Sequence, residues 1–171
     1  PIPSSGFVTS YLDITERKQA EEALRKSEER WNFALEGSND GVWDWNVQTG
    51  EAVSSKRWKE LFGYAESEFS NTTTEWSKSV HPDDWSELWG KIKRHLHGEA
   101  PPPSAEYRFR CKDGSWKWTL GRGMVVSRDA SGKPLRLVGT NSDITERKLI
   151  EAELVHSKEV AEMRREQVAN L

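Results

Sequence analysis

One cysteine, Cys111, stands in 171 residues, so no internal disulfide can form, and its compartment signal is neutral with a lean towards the cytosol. No apolar run approaches the roughly 20 residues of a membrane span, and no direct membrane contact is expected. Nor is there an excess of positive charge. Lys and Arg number 25 against 28 Asp and Glu, a net charge of −3, which removes the electrostatic case for nucleic acid or an anionic membrane. Apolar side chains are scarce, at 35% with a mean hydropathy of −0.83. No signal peptide is visible, and Pro1 reads as a cut inside a longer protein. A nucleophile–base pair, a phosphate loop and a metal cluster are all missing, so no catalysis is expected. The expected placement is cytoplasmic, which leaves a membrane-anchored parent open.

What the chain does have is tryptophan, nine in all, which predicts an aromatic core between two charged flanks. It also has a repeat. Asp13-Ile14-Thr15-Glu16-Arg17-Lys18 recurs as Asp143-Ile144-Thr145-Glu146-Arg147-Lys148, each copy after a β-prone run and before a charged helical stretch. A strand-ended module therefore stops at Thr145, and an earlier copy stopped at Thr15. The implied layout is a remnant of a preceding module over 1–15, a linker helix over 16–36, one complete module over 37–145 and a C-terminal helix over 146–171.

From Thr15 to about Leu35 the pattern is helical, with Thr15 as N-cap and Gly37 as stop. Ala20, Leu24, Ser27, Trp31 and Ala34 are spaced four, three, four and three, a heptad seam. Ile150, Leu154, Ser157, Ala161, Arg164 and Val168 repeat it, so dimerisation through the flanks is expected. Gly41, Trp43, Trp45 and Val47 alternate along a strand that turns at Gln48–Glu51 and returns over Ala52–Ser54. Short helical pieces follow over Arg57–Phe62, around Glu66–Phe69 and over Thr74–Ser79. His81-Pro82-Asp83-Asp84 opens a helix carrying Trp85, Leu88, Trp89, Ile92 and Leu96 on one stripe. Tyr107, Phe109 and Cys111 alternate up to Asp113-Gly114, and Trp116, Trp118 and Leu120 alternate after it. A two-residue Asp-Gly loop of type I′ would pair Cys111 with Trp116, Phe109 with Trp118 and Tyr107 with Leu120, all on one face. The other face would carry Arg108, Arg110, Lys112 and Lys117, a stripe in need of acidic neighbours. Pattern leaves open whether the hairpin aromatics face the helices or a flanking helix. Met124–Val126 and Leu135–Ser142 complete three antiparallel strands, and the whole order predicts an α+β fold.

These residues resemble a PAS domain with its PAC motif, as found in bacterial sensor histidine kinases and diguanylate cyclases. The resemblance runs from about Trp31 to Lys148. Its carriers are Gly41-Val42-Trp43-Asp44-Trp45, the run from Arg57 to Tyr64, His81-Pro82-Asp83-Asp84, Tyr107-Arg108-Phe109-Arg110, the run from Lys112 to Trp116, Gly121-Arg122-Gly123 and Gly139-Thr140. It implies a five-stranded antiparallel sheet in the order 2-1-5-4-3, helices on one face around a possible ligand chamber, and a homodimer held by the flanking helices. It implies that Asp143, Ile144 and Thr145 relay the signal from the last strand to the output helix. The dimer seam would then contain Ala20, Leu24, Trp31, Ile150, Leu154 and Ala161. Residues 163–171 resemble the lead-in to the phosphoacceptor helix of a sensor histidine kinase, which favours that parent over a diguanylate cyclase or phosphodiesterase.

Candidate chemistry is weighed against packing. His81, Asp83 and Asp84 are explained by a helix start, so no metal is expected. His95 and His97 suit a helix C-terminus, which makes haem unlikely as their role. Cys111 reads as a small hydrophobe. The flavin-binding relatives' Asn-Cys-Arg motif is missing, and flavin is not expected either; the cofactor is unknown. Trp43, Trp45, Trp58, Phe62, Trp76, Trp89, Tyr107, Trp118 and Arg122 are the candidate ligand pocket. Aromatics at core spacing also fill cores, so a ligand-free dimerisation module stands as the alternative.

Overall fold

The computed structural model describes residues 14–70 and 72–169, with the side chains at 31, 32, 35, 36, 168 and 169 excepted. Of the expected module remnant over 1–15, residues 1–13 lie outside them. The chain divides into two units, Pro1–Ser38 and Asn39–Leu171. In the first, helix α1 spans Thr15–Ser38. Its Glu, Lys and Arg pair one turn apart, as in Arg17–Glu21 at 3.1 Å and Arg25–Glu22 at 2.7 Å. Gly37 does not end it. The helix runs on to Ser38, and Asn39, at φ 59°, takes the left-handed stop position.

In the second unit the order is β1 (Gly41–Asn46), β2 (Ala52–Ser54), α2 (Lys56–Leu61), α3 (Thr73–Ser79), α4 (Pro82–Leu96), β3 (Ser104–Arg110), β4 (Trp116–Arg128), β5 (Pro134–Asp143) and α5 (Thr145–Ala169). Side chains cap the starts of the short helices. Ser55 Oγ accepts from Trp58 N–H, Thr72 Oγ1 from Glu75 N–H, and His81 Nδ1 from Asp83 N–H. Residues 66–69 form turns rather than the expected helical piece. The five strands make one antiparallel sheet in the order β2-β1-β5-β4-β3, the order the resemblance implied. No helix among the described residues is long and apolar enough to cross a membrane.

Alternation divides the sheet into two faces. Trp43, Trp45, Leu137, Asn141, Tyr107 and Phe109 share the inner face, where Trp58 and Leu61 of α2 and Leu88, Ile92 and Leu96 of α4 complete the core. Trp43 lies flat across β5 and β4 because its partners there are glycines: a Cβ at Gly139 would come within 2.3 Å of the indole, and one at Gly123 within 2.7 Å.

The β3–β4 register differs by one residue from the expected one. Arg110 faces Trp116, Phe109 faces Lys117, and Tyr107 faces Thr119. The loop is three residues, not two: Cys111 N–H donates to Ser115 C=O at 2.8 Å and Gly114 N–H to Cys111 C=O at 2.9 Å, with Gly114 at φ +85°. Asp113 selects it, since its Oδ1 accepts from Ser115 N–H at 2.9 Å and Ser115 Oγ at 2.6 Å. One residue of slip turns every β4 side chain over. Tyr107, Phe109 and Cys111 stay inside, while Trp116, Trp118 and Leu120 go outside and Lys117 and Thr119 come in. The expected basic stripe is thereby broken up. Lys117 leaves it, Arg108 pairs with Asp84 at 2.8 Å, and Lys112 pairs with Glu68 at 2.5 Å.

Candidate functional site

Between the inner face and the helices lies a cavity of about 290 Å³, at the small end of ligand sites (roughly 300–1,000 Å³). Its wall is an aromatic arc. Trp45 meets Trp89 at 6.5 Å between ring centroids, Trp89 stacks on Trp85 at 5.5 Å, Trp85 meets Trp76 at 5.8 Å, and Trp76 meets Tyr107 edge-on at 6.2 Å. Trp85 and Trp89 stack because they sit one turn apart on α4. Trp43 floors the arc, and Trp58 also borders the cavity.

Of the residues expected to line a pocket, Trp43, Trp45, Trp58, Trp76, Trp89, Tyr107 and Arg122 border it. The register puts the Arg122 side chain on the outer face, since it pairs with Ser104 and Thr140. Phe62 is core instead, packed on Phe109 at 4.3 Å and on Trp58 at 4.8 Å. Trp118 is on the other side of the sheet. Trp85, Phe69, Leu88 and Ile92 line the cavity as well. The stripe on α4 already grouped three of them by spacing, and extending the pocket along it would have found them.

A polar network is buried beside the arc. Trp58 Nε1–H donates to Asn141 Oδ1 at 2.9 Å, Asn141 Nδ2 donates to Tyr107 Oη at 2.8 Å and Thr119 Oγ1 at 3.2 Å, and Thr119 Oγ1–H donates to Ser142 C=O at 3.1 Å. Burial pushes the Tyr107 phenol up to about 12, against the opposing hydrogen bonds from Asn141 and Trp76. Asn141 went unnoticed in the sequence, because a lone amide in a strand gives no pattern. His95 is committed to structure. Its Nε2 accepts from Val125 N–H at 3.0 Å and its Nδ1 lies 3.0 Å from Ala100 C=O. With both nitrogens engaged, neither is offered to a haem iron. Cys111 is buried, and desolvation raises its thiol pKa, the opposite of a reactive cysteine.

The end of β5 and the outer face of β4 at Trp118 meet the start of α5. Asp143 Oδ1 accepts from Thr145 N–H at 2.9 Å and its Oδ2 lies 2.9 Å from Lys117 Nζ. Burial pushes this carboxyl up, but the bonds from Thr145 and Lys117 outweigh it and leave its pKa lowered. Ile144 N–H donates to Trp118 C=O at 2.9 Å, and Thr145 Oγ1 accepts from Trp118 N–H at 3.1 Å. The Trp118 ring lies 5.3 Å from the Arg108 guanidinium and 5.2 Å from Lys148 Nζ. Glu106 accepts from Arg147 at 2.6 Å and pairs with Lys148 at 2.5 Å, and its carboxyl is held below the ordinary range by Arg147 first and Lys148 second. Arg108 in turn holds Asp84 on α4, through its side chain at 2.8 Å and 3.0 Å and its backbone N–H at 2.8 Å, and lowers that carboxyl. Asp143, Ile144 and Thr145 are thus brought together with Trp118. Of the seam residues, Leu24, Ile150 and Leu154 are exposed at 61%, 59% and 56%, and Ala20 and Ala161 are exposed too. Trp31 has no described side chain.

Comparison with known proteins places these features. A family model described as PAS fold matches residues 51–141. The crystal structure of a sensory box histidine kinase/response regulator from Burkholderia thailandensis is 35% identical, with a TM-score of 0.69, over 80% of this chain and 98% of that one. The hybrid signal transduction histidine kinase A of Dictyostelium discoideum is 26% identical over 89% of this chain, and the probable diguanylate cyclase DgcE of Escherichia coli is 28% identical over 90%. The chain spans 12% and 14% of the lengths of those two relatives.

Proposed function

The chain belongs to the PAS fold family, and from that premise we propose that it is the ligand-sensing and dimerising module of a sensor histidine kinase. One observation carries the reading: α4 both walls the cavity and, through Asp84 and Arg108, reaches the Trp118 platform on which α5 begins. A ligand that shifts α4 would alter the Arg108 contact. The change would then reach α5 through Asp143, Ile144 and Thr145 and the Glu106 ion pairs, and the helix would pass it on as a change of register.

The flanking helices suit this role. Ala20, Leu24, Ile150, Leu154 and Ala161 are apolar, exposed and at heptad spacing, and pairing with a second copy would bury them. Ser157 and Arg164 interrupt the C-terminal seam, which keeps it weak enough to shift. The likeness to DgcE favours a second reading, in which the same module serves a diguanylate cyclase. Neither reading asks the module itself for catalysis.

Native mass spectrometry of the purified protein, beside its denatured mass, tests the proposal. A dimer with an additional non-covalent mass per subunit is expected. A dimer whose subunits never take up a small molecule would replace it with the ligand-free dimerisation module.

A further inference from the structure

We propose that the cavity is specific for a neutral, planar aromatic ligand carrying a carbonyl-type acceptor, which the Tyr107 hydroxyl donates to. This rests on the cavity being a ligand site.

The argument begins at Trp58. An indole N–H only donates, so the atom of Asn141 that receives it at 2.9 Å is the amide oxygen. That fixes the amide, and its NH₂ faces Tyr107 Oη at 2.8 Å. Tyr107 oxygen must therefore accept. Trp76, edge-on to the same phenol at 6.2 Å between ring centroids, has only a donor to offer. The phenolic proton is thus turned away from the amide, and no described residue accepts it. Tyr107 is 3% exposed and borders the cavity, so the unused donor is buried at its wall. A phenol whose pKa is pushed up to about 12 keeps that proton throughout the physiological range.

A second donor waits elsewhere on the arc. Trp45 Nε1–H is buried with no hydrogen-bond partner, alone in this among the described side-chain nitrogens and oxygens. A buried donor without an acceptor is costly, and two beside one cavity ask for a ligand that brings acceptors. Charge narrows the class further. Among the described residues of the lining, Arg122 is the only ionisable one besides Tyr107, and the register turns its side chain to the other face. An anionic head would meet no counter-ion, and an ammonium head would bring neither Tyr107 nor Trp45 an acceptor. The stacked indoles favour a flat ring system, and about 290 Å³ limits it to a few fused rings.

A matched series on one ring system tests this. By calorimetry on the unaltered protein, 2-acetylnaphthalene is expected to bind about tenfold more tightly than 2-ethylnaphthalene, the worth of one buried hydrogen bond, and 2-naphthoate more weakly than either. Tyr107→Phe is expected to erase the acetyl preference while leaving 2-ethylnaphthalene affinity in place. Because that variant also leaves Asn141 short of an acceptor, the carbonyl stretch of bound 2-acetylnaphthalene provides a second readout. It should fall below its value in an apolar solvent. Equal affinity for the acetyl and ethyl compounds, or an unshifted carbonyl, would overturn the inference and leave an apolar sensor cavity. Tightest binding of the naphthoate would overturn it in favour of an anion site. Failure of all three compounds to bind would overturn it, and a ligand of another class then found by native mass spectrometry would spare the sensing role.

Discussion

Two Trp-x-Trp motifs sit in this sheet and do opposite things. Trp43 and Trp45 on β1 face the helices and form part of the cavity; Trp116 and Trp118 on β4 face away, where the Trp118 ring lies 5.3 Å from the Arg108 guanidinium and 5.2 Å from Lys148 Nζ. Trp45 keeps a buried N–H with no partner, whereas Trp118 has its backbone N–H and C=O both bonded to the start of α5. The motif says that two side chains share a face. Which face is settled elsewhere, by Gly139 and Gly123 clearing room for Trp43 and by the loop length before Trp116.

The largest effect that separates the faces is expected at Asn141, which is 1% exposed. Asn141→Leu strips partners from Trp58, Tyr107 and Thr119 at once and should cost about 3 kcal/mol in chemical denaturation. A loss below about 1 kcal/mol would mean that the inner polar network is not holding the wall. Asp84→Ala comes next, at about 1.5 kcal/mol for a partly exposed, bidentate Arg partner. It should also raise amide exchange at the start of α5, although Asp84 touches none of that helix in the contacts described. Unchanged exchange there would cut the link between the two faces.

Trp116→Ala sharpens the register itself. Trp116 is 41% exposed and packs at a tilt against His81, 4.6 Å between ring centroids, so about 1 kcal/mol is expected. The two-residue loop would have made it core, with a loss of about 3–5 kcal/mol. Smallest in stability is Glu106→Gln, a few tenths of a kcal/mol for exposed ion pairs, yet it should speed exchange at Thr145–Lys148. Acid should mimic it. The Glu106 carboxyl has a lowered pKa in the folded protein, so its contribution is complete above the ordinary 4.5 and is lost as pH falls through the lowered value. Docking of α5 that persists unchanged well below that range would remove Glu106 from the account.

Much of this was legible before any coordinates. The repeated Asp-Ile-Thr marks where β5 hands over to α5. His81-Pro82-Asp83-Asp84 marks the start of α4, and the alternation at 41–45 marks β1. The hairpin was not, because Asp-Gly suits a two-residue loop and a three-residue loop equally well. Asp113's bonds to Ser115 and the burial of Thr119 in place of Trp116 decide between them, and burial is a tertiary fact. For the same reason Trp118 was assigned to the cavity and the Arg108–Trp118–Lys148 stack could not be foreseen. The hairpin aromatics were expected together on one face, with only the choice of face left open, and they divide instead: Tyr107 and Phe109 inward, Trp116 and Trp118 outward.

The central claim is that occupancy of the inner cavity is felt at α5 across the sheet. Ile92→Phe fills part of the cavity from α4 without touching the outer face, so it imitates occupancy with no ligand needed. Hydrogen exchange of the amides from Ile144 to Lys148 should change several-fold in this variant relative to the unaltered protein, with the β4–β5 ladder unchanged. Identical exchange at those amides in a folded Ile92→Phe protein would contradict the account, and leave the two faces as neighbours that do not communicate.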